Sequence, residues 1–515
     1  MKLSRTQLYF SLACIPIFIH FFLLQQTLIN YPNWGDDFLF LELLDYSNKH
    51  TLSETLGQLL IPHNQIHILV WAKSITLISY FISGSLNYKL LTILANIQWL
   101  AIFYIIYLYL KHKGYASIHL IGIACCLFAP AANLDNYSLL GSLSHTSSLL
   151  VLVSIAYLIE NNTKNPLLIL LFLIFPLVLT EGWAMFAVGS GVLLINKHPY
   201  TKIVAAISVF GLAIFALHLS HQTAAPSNAV RLLEHVPLAF FTFLGNFAWP
   251  ISDTFRIAIN ATAGFLILTT SFLLFWKHKN AVQPFSMPHI LWLQLLAITG
   301  MVCLGRNGGN LETLVLSERF HSYSTIALVA TYLILIPNLN RPSWRMVLTS
   351  CTVIYFVGSL ILFLPIRRQL KERMLADATN AYRLKSCTNY LIPTTNFRLV
   401  HDRKLFQWDA KDILPFQLPV KPKVKIAIRA VQDRELRLNI PAKTSQTDQR
   451  WLAVQSMANP DSTFLLAFTS DKPNKLKIAR INSMQLTNFK YKNLWLFTLH
   501  RNQKSQIQYV GSLEF

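Results

Sequence analysis

The sequence predicts a polytopic α-helical membrane bundle of roughly 11–13 transmembrane helices with a small β-rich domain at its C-terminal end. Three observations predict it. Apolar runs of spanning length recur between residues 8 and 365. The chain is 53% hydrophobic and only 13% charged, a balance foreign to soluble globular domains. Beyond about residue 420 the long apolar runs give way to short alternating ones, the period of strands.

Taken in order, the apolar runs lie near residues 8–29, 66–83, 88–110, 116–133, 138–159, 166–180, 182–196, 203–220, 256–276, 287–304, 319–337 and 346–365, with a shorter one at 237–250. The first follows Lys2 and Arg5, is too long for an ordinary signal peptide and has no small-residue cleavage site, so it reads as a retained span. Basic clusters orient the bundle. Lys2/Arg5, Lys111/Lys113, Lys164, Lys197/Lys202, Lys277/Lys279 and Arg341/Arg345 are the cytoplasmic candidates under the positive-inside rule. Parity holds from residue 111 to 365 if the 237–250 run only dips into the outer face. It misses by one span between residues 29 and 111, where 66–83 either crosses or lies along the surface.

The net charge of +21 would point to nucleic acid in a soluble domain. Here it serves orientation and contact with anionic headgroups, since no nucleic-acid motif accompanies it. Cys14, Cys125, Cys126, Cys303 and Cys351 fall in apolar runs and Cys387 alone in the polar part, so neither a disulfide framework nor a CxxC metal site is present.

The domain division that follows is 1–365 for the membrane bundle, including a long outer loop at 30–65; 366–419 for a juxtamembrane helix and linker; and 420–515 for the β-rich domain. The juxtamembrane helix opens on Arg367-Arg368-Gln-Leu-Lys371-Glu-Arg373, a basic segment suited to headgroups. In the last part short apolar stretches such as Trp451 to Gln455 and Phe464 to Phe468 alternate with polar turns such as Asn459-Pro460-Asp461. An odd number of spans before it leaves that domain outside the cytoplasm.

The chemistry-bearing residues gather in the outer loops. Asp36 and Asp37 follow the first span, and such a pair can act as general base, orient a cation, or cap the helix that Phe38-Leu-Phe-Leu-Glu-Leu-Leu would form. His63 and His67, four apart, match a metal-ligand spacing on a helix, yet no HExxH motif or third ligand follows. They read more readily as polar residues lining a wet cavity or satisfied at the interface. Glu181 interrupts two apolar stretches almost without a loop, where a carboxylate is costly unless paired or wet. Arg319 and Tyr323 open a late span, either as an interfacial anchor or as a guanidinium that grips a phosphate. Arg306-Asn-Gly-Gly-Asn310 is a glycine-bearing loop without the Lys-Ser/Thr ending of a P-loop.

A first span, an outer loop opening on Asp36-Asp37, Pro62-His63-Asn64 near the next span, a Gly-x-x-Asn-Tyr turn at Gly84 to Tyr88, and the Arg319-x-x-x-Tyr323 helix start together resemble the polytopic GT-C glycosyltransferases. The layout over residues 1 to about 365 is similar to that of bacterial membrane glycosyltransferases, the protein mannosyltransferases and the aminoarabinose transferase of lipid A. Related sequences often carry His-Asn-Glu-His-Arg where this chain has His63-Asn64-Gln65-Ile66-His67, without the acid and the arginine.

The resemblance implies a GT-C-like fold and an inverting enzyme of the bacterial inner (plasma) membrane. It would move a sugar from a polyprenyl-phosphate-linked donor to a glycan, lipid or protein acceptor outside the cytoplasm. By the same likeness Asp36 or Asp37 would be the base, Arg319 and Arg306 would hold the donor phosphate, and His63, Glu181 and Tyr323 would line the cavity. The partners implied are the lipid-linked sugar, its acceptor and membrane lipids, not nucleic acid. The carboxylate pair permits a divalent cation without requiring one, and no other cofactor is implied. The competing expectation is a transporter or flippase of a lipid-linked or anionic solute, although no internal symmetry of the transporter kind is evident.

Overall fold

The computed structural model describes residues 4–32, 35–61, 69–161, 164–178, 184–220, 229–250, 255–278, 285–305, 320–339, 341–382, 399, 405–407, 409–414, 428–432, 435–438, 449–456, 463–467, 477–480, 491–499 and 505–514. These fall into two compact units. One comprises Met1–Gln26, His50–Thr76 and Leu91–Phe363; the other Thr27–Lys49, Leu77–Leu90 and Leu364–Phe515. The long outer loop is therefore shared: its first half packs with the C-terminal part of the chain and its second half with the helices.

Among the described residues five helices are long and apolar enough to cross a membrane: Arg5–Thr27, Tyr88–His112, Leu139–Glu160, Arg256–Lys277 and Pro342–Tyr382. A bent pair, His119–Leu127 and Pro130–Tyr137, raises the number to six if it is one span. These helices mark an integral membrane protein; of the roughly 11–13 spans expected, five or six are counted among the described residues. The runs near 166–180 and 182–196 are described as the helices Leu167–Val178 and Ala184–Ile195, with residues 179–183 between them outside the described residues. The run 116–133 bends by 48° after Leu127, where Pro130 starts a 3-10 turn.

The first unit contains α1 (Arg5–Thr27, to Gln26), α3 (Leu52–Leu60), the first half of α4 (Val70–Ser83), most of α5 (Tyr88–Ala95), α6 (Gln98–His112), α7 (His119–Leu127), α8 (Leu139–Glu160), α9 (Leu167–Val178), α10 (Ala184–Ile195), α11 (Thr201–Ser220), α12 (Ala229–Gly245), α13 (Arg256–His278), α14 (Met287–Gly305), α15 (His321–Leu335) and the first part of α16 (Pro342–Tyr382). Helices α12 and α13 form a hairpin whose backbones nearly touch. A Cβ at Gly245 would meet the Asn260 carbonyl, and one at Gly264 would meet the Phe241 carbonyl, so glycine alone permits this approach. Asn260 closes the turn, its Nδ2 donating to the Trp249 carbonyl at 3.1 Å and its Oδ1 accepting from the Trp249 amide at 2.8 Å. Arg256 is thereby set at the start of α13.

Two local devices hold α3. At its start Thr51 and Glu54 form a capping box: the Glu54 carboxylate accepts from the Thr51 amide and hydroxyl, both at 2.8 Å, and the Glu54 amide donates to Thr51 Oγ1 at 3.4 Å. The Thr51 amide, with the hydroxyl second, holds the Glu54 carboxyl below its ordinary value of 4.5. A depressed folded-state value means the stabilisation is present above the unfolded value and is lost as pH falls through the folded one. Amide protection over residues 52–60, corrected for intrinsic exchange, is therefore expected to fall on acidification below about pH 4.5. In Glu54→Gln that pH-dependent loss disappears.

At the other end the buried Lys73 donates to the carbonyls of Gln58 at 3.0 Å and Ile61 at 2.6 Å, satisfying groups that a helix C-terminus leaves open. Lys73→Met removes these bonds from part-buried acceptors. The expected loss of stability is about 1–3 kcal/mol, read as a lowered unfolding midpoint of the purified protein.

The second unit contains α2 (Leu39–Lys49), the second half of α4, the C-terminal part of α16 and, among the described residues, seven strands: β1 (Ile428–Gln432), β2 (Glu435–Leu438), β3 (Gln449–Ser456), β4 (Thr463–Ala467), β5 (Lys477–Arg480), β6 (Tyr491–Leu499) and β7 (Ser505–Glu514). They pair antiparallel in the orders β1-β2-β5 and β4-β3-β6-β7. The basic segment after Pro365 does not form a separate helix. It continues α16 without a break to Tyr382, and that extension carries the four-stranded sheet. Trp451 of β3 donates from its indole to the Glu372 carbonyl at 2.9 Å. Asn380 pairs with both backbone groups of Leu465 in β4, at 3.0 and 2.6 Å, as a neighbouring strand would.

Candidate functional site

Two polar constellations stand out, one in each unit. The first is the acidic turn Gly35–Phe38, a 3-10 turn leading into α2. The apolar face of α2, Phe40, Leu41, Leu43 and Leu44, is fully buried and draws the turn inward. Asp37 is consequently 0% exposed and Asp36 half-buried. The turn is pinned from outside it. The Tyr88 hydroxyl donates to the Asp37 carbonyl at 3.1 Å, and the Tyr31 ring packs edge-on against Phe38 at 6.1 Å.

Asn30 ties this region together. Its side chain accepts from the Tyr88 amide at 2.9 Å and donates to the Gln407 carbonyl at 2.8 Å, while its own amide donates to Asp412 at 2.7 Å. Burial pushes the Asp412 carboxyl above its ordinary value, and the bond from Asn30 pulls the other way. The segments of residues 84–88 and 405–414 thus hold the Asp pair from distant parts of the sequence. A carboxylate removed from water is costly unless its surroundings compensate, so Asp37 is held by its surroundings rather than solvated.

The second constellation lies in the helical unit. It is built on the turn Pro130–Tyr137, on the first half of α8 and on the start of α15. Every residue of that turn is buried, which a polar segment tolerates only with its backbone groups satisfied. Asn133 donates to the carbonyls of Leu127 at 2.9 Å and Ala129 at 3.0 Å, Ser359 accepts from the Ala131 amide at 2.9 Å, and Asn96 donates to the Asn136 carbonyl at 3.0 Å. Gly141 is required beside Asp135, because a Cβ there would overlap the carboxylate.

Against this turn stand two paired groups. Arg256 places Nη2 at 3.2 Å from His321 Nε2, the former 9% and the latter 0% exposed. A guanidinium can only donate, so His321 accepts at Nε2 and is a neutral imidazole with its hydrogen on Nδ1. The His145 Nδ1 and the Tyr323 hydroxyl lie 3.2 Å apart, with the Phe320 and Phe243 rings around them. This arrangement buries a guanidinium, two imidazoles and a phenol beside a polar turn that includes the Asp135 carboxylate, groups able to pass a proton.

Of the residues expected from sequence, Asp36 and Asp37 are adjacent in the carboxylate turn, and Tyr323 is buried at the start of α15 on His145. Arg319, Arg306, His63 and Glu181 lie outside the described residues. The sequence reading did not single out Arg256, His321, His145 or Asp135. A signal was present for His145: Ser142, Ser144, His145, Thr146, Ser147 and Ser148 crowd the first half of an apolar 22-residue helix, and all are buried. Among the described residues no group of three or more His, Cys, Asp or Glu is placed to hold a metal ion. No family model, no curated protein and no solved structure matches this chain.

Proposed function

We propose that the protein is an integral membrane glycosyltransferase that moves a sugar from a polyprenyl-phosphate-linked donor to a hydroxyl-bearing acceptor on the extracytoplasmic side. The observation that carries the reading is the burial of Asp37 in a turn immobilised by Tyr88 and Asn30, just after the first membrane helix. An acceptor hydroxyl is a poor nucleophile. A carboxylate within hydrogen-bond reach takes its proton as the oxygen forms a bond to the anomeric carbon. The bond from that carbon to the phosphate oxygen breaks, and polyprenyl phosphate leaves with the electron pair. A fixed cation steadies the charge that develops on the phosphate, a role for Arg319 or Arg306 on the sequence resemblance.

In this reading the anomeric configuration inverts, His63, Glu181 and Tyr323 line the cavity, and the C-terminal strands belong to the extracytoplasmic side of a bacterial inner membrane. The carboxylate pair permits a divalent cation without assigning it a step.

A second reading, a transporter or flippase of a lipid-linked or anionic solute, is favoured by one observation. The Arg256–His321 and His145–Tyr323 pairs are buried polar groups within apolar helices, a setting that often marks a solute path. One experiment separates the two. Full-length protein in proteoliposomes is given radiolabelled polyprenyl-phosphate sugar and a soluble acceptor. Labelled acceptor together with free polyprenyl phosphate supports transfer, whereas movement of the intact lipid between leaflets without turnover supports transport.

A further inference from the structure

Outside both constellations, the outer surface of the helical unit carries a long apolar groove. Helices α1, α7 and α16 leave between them a cavity of about 600 Å³, lined by Leu12, Ile15, Ile118, Cys125, Val353 and Leu360 among others. It opens outward, since Ile15 is 52% exposed and Ile354 71%. Along α16 it runs from Met346 to Leu360, about 21 Å at 1.5 Å per residue, enough to cover one leaflet of a ~30 Å hydrocarbon core.

One end of the groove is rich in fixed cations. The starts of the three helices meet at the same end, where the Ser117 hydroxyl lies 3.4 Å from that of Thr6 and Arg345 stands within electrostatic range of His119. Arg5 and Arg341 are exposed there, and Arg345 is steadied by a 3.1 Å bond from its Nε to the Leu339 carbonyl. Trp344, 56% exposed, supplies an indole of the kind that settles at headgroup depth. No acidic residue occurs within residues 1–20, 110–130 or 339–360, so nothing of opposite sign on these segments neutralises the three guanidiniums.

We propose that this groove is a binding site for an anionic phospholipid of the bilayer, with one acyl chain between α1, α7 and α16 and the headgroup phosphate among Arg5, Arg341 and Arg345. The occupant follows from charge complementarity: a hydrocarbon channel ending in a cluster of fixed cations matches an amphiphile with a negative head. On the orientation read from Lys2/Arg5, Lys111/Lys113 and Arg341/Arg345, the starts of these helices face the cytoplasm, so the lipid comes from the cytoplasmic leaflet. The site is thereby distinct from the outer-leaflet donor of the proposed reaction, and it does not depend on that reaction.

Native mass spectrometry of the full-length protein, released from micelles containing equal phosphatidylglycerol and phosphatidylcholine, tests it. Wild type is expected to retain one phosphatidylglycerol in preference to phosphatidylcholine by roughly tenfold or more. The preference falls to parity in Arg341→Gln/Arg345→Gln and is kept in Arg341→Lys/Arg345→Lys. Val357→Trp, which fills the groove at an exposed position without changing charge, loses the retained lipid. Thermal unfolding midpoints of the variants check that each is folded, and the exposed Arg5→Gln replaces the double variant if that one is not. Equal retention of both lipids by wild type overturns the proposal. So does unchanged retention in Val357→Trp, which would reduce the site to a phosphate contact, or a dimer mass without lipid, which would put a second copy of the chain in the groove.

Discussion

Asp37→Asn is expected to lower sugar transfer by about 100- to 10,000-fold, the range over which a positioned general base contributes. Asparagine keeps the shape of the side chain and removes its ability to take a proton. The backbone contact that holds the turn, from the Tyr88 hydroxyl to the Asp37 carbonyl, is untouched by the substitution. Folding and membrane insertion should therefore survive, as judged by extraction yield and unfolding midpoint. Asp36→Asn serves as the comparison. Asp36 is half-buried where Asp37 is fully enclosed, and with the proposed role assigned to Asp37 the Asp36 variant should lose less. Full transfer by the double variant would remove the enzyme reading altogether. Loss of transfer together with loss of folding would leave Asp37 a structural residue.

Trp451→Ala is the substitution expected to cost most in stability, about 3–5 kcal/mol for a fully buried large aromatic. Trp451 sits on the central strand β3, paired with Ala467 on one side and Phe497 on the other, and its indole reaches the Glu372 carbonyl of α16. Alanine leaves a cavity and removes the indole bond at once. Whole domains are stable by only about 5–15 kcal/mol, so a loss of this size should loosen the sheet from the helix. Limited proteolysis is expected to cleave the C-terminal region of the variant well before wild type, leaving the first unit protected. Trp451→Phe fills most of the space and gives up chiefly the hydrogen bond, so its proteolysis should fall between the two. Equal protease resistance of Trp451→Ala and wild type would show that the sheet is held by something other than this contact.

How much was legible in the sequence differs from element to element. The first span reads directly from residues 8–29, and α1 occupies Arg5–Thr27, because a continuous apolar run followed by Asn-Tyr-Pro leaves little choice. The alternation at 451–455 and 464–468 likewise coincides with β3 and β4, since period two is a local property of strands. The run 116–133 looked like one span and contains a bend, because hydropathy does not register the change of backbone at Pro130. The break expected after Pro365 is absent, and α16 continues into a polar stretch. Its far end finds partners in Trp451 and Leu465, which no local signal announces.

The candidate site shows the same division. Asp36 and Asp37 were conspicuous as paired acids in an apolar context, while the bond that orients their turn comes from Tyr88, some fifty residues away. Arg256 and His321 gave no signal at all, since a lone arginine and a lone histidine sixty-five residues apart have no periodicity to betray them.

By itself the sequence determined that this is a basic, mostly apolar chain of membrane-crossing helices with an acidic pair just past the first of them. Those traits depend on composition and on spacing between near neighbours, which the chain carries whether or not it is folded. Only the tertiary structure decided that Asp37 is enclosed while Asp36 remains half-open, that Arg256 meets His321, and that three arginines share one end of an apolar groove. Burial and charge proximity are made by packing between distant segments, so they come into being only when the chain has folded.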